Sequence, residues 1–117
     1  VTAVDYAFED LPTSLEAGPT VVELTNDGDE AHELVLFRKN DGVTQPAEEL
    51  LALPDEEAFE LVAFVQGSEP IDPGKRSSTV FDLEAGDYVA VCFLPVGGSG
   101  DGPPHFTEGM FTEFSVE

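Results

Sequence analysis

The chain has 117 residues, 25 of them acidic and only 4 basic, giving a formal net charge of −21 at pH 7. That length fits a single domain, residues 1–117, with a real core, and the 41% hydrophobic share is ordinary for a folded protein. The charge excludes a nucleic-acid footprint, which is basic, and disfavours anionic membrane surfaces; no apolar run approaches the ~18 residues of a membrane span.

Dense carboxylates keep a protein soluble and monomeric at the cost of self-repulsion. Very salty water screens that repulsion, and at ~1 M salt the Debye length falls to about 3 Å. The composition is therefore read as a saline adaptation, with a monomer expected and no docking role for the acidic surface. A single cysteine, Cys92, rules out an intramolecular disulfide. The start at Val1, without Met, is read as a mature domain freed of a targeting segment, hence an extracytoplasmic location.

In chain order the elements are mostly strands. Val4, Tyr6 and Phe8 alternate with Asp5, Ala7 and Glu9, a period-two pattern expected for one half-buried strand. After turns at Leu11-Pro12 and Ala17-Gly18-Pro19, residues 20–25 read as a second strand. The run from Asn26 to Glu30 is turn chemistry, and His32 to Phe37 a third strand with His32 at its first position. His32, Leu34 and Leu36 share one face. The β rhythm then breaks. Pro46 to Leu53 and Pro54 to Val65 look helical, with Pro54 suited to a first turn and Asp55, Glu56 and Glu57 to the positive dipole end. Residues 78–83 form a further strand, residues 87–94 the strand that carries Cys92, and residues 111–116 the last. Short strands between turns argue for an all-β, Greek-key β-sandwich with a short inserted helical segment around residues 46–65.

The strand entered at Gly86 ends at Cys92. Thirteen residues on comes His105, and five after that Met110, the only methionine; His32 is the only other histidine. Each has a plain reading: a buried cysteine behaves as a small hydrophobe, Met fills gaps, and a lone histidine is usually just hydrogen-bonded. Taken together, thiolate, imidazole and thioether ligands suit copper, and two His with one Cys and a weak axial Met form the blue-copper pattern. Two other readings compete. One is a metal-free structural or partner-binding module. The other is a Cys92–His105 nucleophile pair, which lacks the helix N-terminus that commonly lowers a cysteine pKa.

Several motifs resemble the cupredoxins, plastocyanin-like blue copper proteins. Gly86-x-Tyr88-x-x-x-Cys92 is similar to the strand before the cysteine ligand, and Pro104-His105-x-x-x-Gly109-Met110 to the closing ligand loop. Asn26-x-Gly28 followed by His32 resembles the segment bearing the first histidine, and Ile71-x-Pro73-Gly74 falls in the expected order. The resemblance runs from Asn26 to the C-terminus, with the helical segment as an insertion. It implies one type 1 copper ion held by His32, Cys92, His105 and Met110. It also implies one-electron transfer rather than catalysis, with a redox partner docking near His105, here expected on an exposed loop.

Two departures stand out. Twelve residues separate Cys92 from His105, more than in plastocyanin-like proteins, and the excess from Val96 to Gly102 reads as a flexible bulge. Glu33 occupies the position after the first histidine, where an Asn often helps to hold the sulfur. Its charge beside a thiolate is unfavourable unless the carboxylate turns outward.

Overall fold

In the computed structural model, which describes residues 1–98 and 102–117, the strands fall into two sheets. The strands are β1 (Thr2–Val4), β2 (Ala7–Glu9), β3 (Ser14–Leu15), β4 (Gly18–Asn26), β5 (Val35–Lys39), β6 (Val62–Gly67), β7 (Arg76–Leu83), β8 (Gly86–Val91) and β9 (Phe111–Val116). One sheet runs β2-β1-β4-β7 and the other β3-β9-β8-β5-β6. Neighbours are antiparallel except for the β1–β4 and β3–β9 pairs. The β-sandwich expected from the sequence is the architecture found.

Alternation decides which residues fill the space between the sheets. Leu24, Phe81 and Leu83 come from one sheet; Leu36, Tyr88, Ala90, Phe114 and Val116 come from the other. The next positions along β5 and β8, Val35, Phe37, Val89 and Val91, are also buried, but on the outer face. There the inserted helices α1 (Ala47–Ala52) and α2 (Asp55–Leu61) cover them, with Ala47 and Leu51 in that cluster. Burial on both faces explains why β8 reads as a nearly unbroken apolar run.

Strand boundaries differ from the sequence reading: β5 begins at Val35, leaving His32 in an isolated bridge before it, and β8 ends at Val91, one residue short of Cys92. Two further differences are larger. The helical segment stops at Leu61, and Val62–Gly67 is a strand on the edge of the larger sheet. Val62 and Val65 recur at helical spacing, but Phe64 pairs with Phe37 and Gln66 with Leu36 across β5, and that pairing overrides the local pattern. At the N-terminus, the alternating run is a hairpin rather than one strand. Thr2–Val4 and Ala7–Glu9 pair antiparallel, leaving Asp5 and Tyr6 at the turn.

A tyrosine corner locks the entry to β8. The Tyr88 hydroxyl donates to Glu84 O at 2.7 Å and accepts from Glu84 N–H at 3.0 Å, while the ring stacks on Phe114 at 5.2 Å.

Candidate metal centre

Three strand ends converge at one end of the sandwich. His32 precedes β5, held by an antiparallel bridge to Ile71 in which His32 N–H donates to Ile71 O at 3.1 Å and Ile71 N–H to His32 O at 2.9 Å. Cys92 follows β8 directly, and its N–H donates to Met110 O at 3.2 Å. His105 opens a 3-10 turn, His105–Glu108, with its N–H on Leu94 O at 2.8 Å. Gly109, at φ 102°, ends that turn in the left-handed region. Met110 N–H then donates back to His105 O at 3.3 Å. Met110 is thus tied through its backbone to both Cys92 and His105.

His32, Cys92, His105 and Met110 are all fully buried. His105 Nδ1 lies 3.1 Å from His32 Nδ1 and 3.3 Å from Cys92 Sγ, and the three ligand atoms lie within 4.8 Å of one another. A metal bonded at about 2.0–2.1 Å to nitrogen and 2.3 Å to sulfur holds a trigonal set roughly 3.5–3.8 Å apart, so the spacing fits such an ion. The chemistry fits as well. Two imidazole nitrogens and one sulfur are a donor set that suits a transition metal such as copper.

The surroundings of the Cys92 sulfur do not favour a reactive nucleophile. Burial pushes the Cys92 thiol up from its ordinary value, while backbone N–H groups of Glu33 and Leu94 donate to the sulfur and pull it down. A reactive cysteine needs the opposite balance and solvent access. Glu33 does not simply turn away. It is half-buried, burial raises its pKa, and its carboxylate accepts the Phe93 N–H. Its backbone meets the sulfur and its side chain meets the residue after Cys92, so it joins the two ligand segments.

The outer nitrogens of both rings meet carboxylates. His32 Nε2 is 2.6 Å from Asp5 Oδ1, and His105 Nε2 is 3.2 Å from Glu30 Oε1. Glu30 also accepts the Tyr6 hydroxyl and the Gly97 N–H. The Tyr6 bond, ahead of opposing burial and the His105 bond, holds Glu30 below the usual carboxylate range, and the same bond pushes Tyr6 up to about 12. Burial lowers the His32 pKa against the opposing pull of Asp5. Asn26 anchors the segment, donating to Ile71 O at 2.9 Å and Glu30 O at 2.8 Å and accepting the Gly28 N–H at 2.9 Å.

The exposed His105 expected from the sequence is not found: the imidazole is fully buried beneath Glu30 and Tyr6, whose ring centroid is 5.0 Å away. The residues beside the ligands reach the surface instead. Phe93 is 37% exposed and packs edge-on to Phe106 and Phe37 at 5.6 and 5.8 Å. With Pro104 these residues line an apolar cavity of about 310 Å³ under the inserted helices. The bulge is closed at its base by the Pro95–Pro104 bridge and by Val96 N–H donating to Pro103 O at 2.7 Å. Residues 99–101 of that run lie outside the described residues.

The fold is that of the cupredoxins. Among solved structures the chain resembles dithionite-reduced auracyanin from the photosynthetic bacterium Roseiflexus castenholzii at 19% identity, covering 97% of this chain and 90% of that one with a TM-score of 0.63. It also resembles auracyanin A, a "blue" copper protein from the green thermophilic photosynthetic bacterium Chloroflexus aurantiacus, at 18% identity, 100% and 97% coverage, and a TM-score of 0.58. Auracyanin B matches at 22% identity, with 100% and 87% coverage and a TM-score of 0.57. No sequence-family model matches the chain, and no curated protein sequence does.

Proposed function

We propose that this protein is a type 1 copper protein that carries single electrons between redox partners. The observation that carries the reading is the buried cluster of His32 Nδ1, His105 Nδ1 and Cys92 Sγ at one end of a cupredoxin sandwich. His32 and His105 would supply nitrogen to the metal, Cys92 the thiolate, and Met110 a weaker thioether. Copper held there provides a one-electron couple. The chain's own part is rigidity. Each ligand is fixed by backbone hydrogen bonds at a strand end, and the N–H groups of Glu33 and Leu94 stabilise negative charge on the sulfur. The partner docks near His105, over the apolar residues Phe93, Pro104 and Phe106 rather than on the imidazole itself. The acidic surface serves solubility in concentrated salt, and the site of action is extracytoplasmic. Among the described residues, no helix is long and apolar enough to cross a membrane.

Titration of the metal-free protein with Cu(II) tests the reading. One equivalent should bind and produce an intense visible thiolate-to-copper absorption. A protein that stays colourless and copper-free refutes it.

A further inference from the structure

Resting on that copper reading, we infer that Asp5 and Glu30 are positioning residues that hold both imidazoles with Nε2–H pointing outward and the Nδ1 lone pair pointing into the site. A carboxylate oxygen only accepts hydrogen bonds. His32 Nε2 stands 2.6 Å from Asp5 Oδ1 and His105 Nε2 3.2 Å from Glu30 Oε1, so in each pair the ring nitrogen must carry the hydrogen. The Nδ1 of each neutral ring is then the free donor. Two such lone pairs, 3.1 Å apart, repel until a cation lies between them. The carboxylates therefore turn both rings into metal ligands before any metal arrives.

Neither acid is a loose surface group. Asp5 Oδ2 accepts the Asp29 N–H at 3.0 Å, and Glu30 is held by the Tyr6 hydroxyl and the Gly97 N–H. Their side chains are 22% and 18% exposed, so water only partly screens them. The backbone also makes room for one contact. A Cβ at Gly28 would lie 2.5 Å from Asp5 Oδ1 and 2.7 Å from His32 Nε2, so only glycine lets that pair close. The β1–β2 turn supplies Asp5 to one ring and Tyr6, through Glu30, to the other. One hairpin thus sets both imidazoles.

Heteronuclear NMR of the metal-free protein at neutral pH reads the ring nitrogens directly and does not depend on copper. Both Nε2 atoms should be protonated in the wild type. In Asp5→Asn and Glu30→Gln the amide can donate to the ring, so the matching histidine should move its hydrogen to Nδ1. The dissociation constant for Cu(II), measured by competition with a chelator, should rise about 10–100-fold in each variant. Gly28→Ala keeps both acids but drives Asp5 from His32, so it should weaken copper binding similarly and disturb the His32 ring alone. An unprotonated Nε2 on either wild-type ring overturns the inference, whether or not every variant folds. So do folded variants that keep both Nε2–H groups and bind copper within about two-fold of wild type, well short of the expected loss. A wild type with both Nε2–H groups that takes no copper refutes the copper reading and leaves the tautomer assignment standing.

Discussion

His32 Nδ1 and His105 Nδ1 stand 3.1 Å apart although they lie 73 positions apart in the chain. The larger sheet creates that contact. β5 pairs with β8 in a register that sets Val35 opposite Val91, so the residues just before Val35 fall beside those just after Val91. β8 pairs with β9 with Val91 opposite Phe111, which brings Met110 back against Cys92. The convergence of His32, Cys92 and Met110 at this end follows from two hydrogen-bond registers.

The proposed ligands should respond differently to substitution. Cys92→Ser should abolish the visible absorption even where some copper still binds through the histidines, because the colour belongs to the sulfur. Met110→Leu preserves volume and should cost less than about 1.5 kcal/mol in stability. It should keep the copper and raise the reduction potential, since losing a weak donor disfavours the more highly charged ion. Voltammetry of the two proteins side by side decides the matter. An unchanged potential would remove Met110 from the ligand set.

Stability of the metal-free protein should fall at both ends of the pH scale. Burial lowers the His32 pKa from its ordinary 6.5, so below that pH the unfolded chain takes up a proton that the folded one resists, and stability drops as pH falls. Burial raises Cys92 from its ordinary 9.0, so above that pH the unfolded chain loses a proton that the folded one keeps, and stability drops as pH rises. One fully differential proton changes stability by about 1.4 kcal/mol per pH unit. In Cys92→Ser the alkaline loss should begin later, where Tyr6 and Tyr88, both raised from 10.0, take over. Urea denaturation across the pH range gives the answer. Identical alkaline limbs in both proteins would contradict the assignment.

Much of this arrangement was legible in the sequence, and what was missed has a common cause. Cys92, His105 and Met110 stood out because each side-chain type is rare here and they sit on one strand end and its loop. Asp5 and Glu30 did not, since two acids among 25 carry no signal of their own. The alternation of Val4, Tyr6 and Phe8 also suited a single strand, which hid the hairpin turn that delivers Asp5 and Tyr6. Local pattern reports which residues are apolar, whereas turns and registers decide which distant residues meet. Leu61 and Val62 teach the same lesson, for the helical spacing continues where the helix does not. The turn at Asn26 with Gly28 was visible, but its purpose, room for Asp5 against His32, required the fold.

The saline reading has its own consequence. Raising salt from about 0.1 M to 1 M shortens the Debye length from roughly 10 Å to 3 Å, which silences most repulsion among exposed carboxylates. Screening worth about 2 kcal/mol would raise the Tm of a domain this size by roughly 10 °C. Thermal unfolding in potassium chloride over that range is the measurement. A flat or falling Tm would leave ordinary solubility as the role of the charge.

The long connection between Cys92 and His105 is expected to be dispensable. His105 is positioned from below, by its N–H on Leu94 O and by the Pro95–Pro104 bridge, and Val96 N–H closes on Pro103 O one step further out. Those contacts form a two-stranded neck, and residues 97–102 lie beyond it. Replacing 97–102 with Gly-Gly leaves a hairpin-length connection on the same neck. Shortening a loop threefold changes closure entropy by only about 1 kcal/mol, in favour of the shorter loop. Among the described residues, the contact at stake is the Gly97 N–H on Glu30, which also holds the Tyr6 hydroxyl and His105. The shortened protein should therefore keep the visible copper absorption and unfold at a similar or slightly higher temperature. A folded variant that no longer binds copper would mean that the outer loop, through Glu30, places His105, and that the neck alone does not.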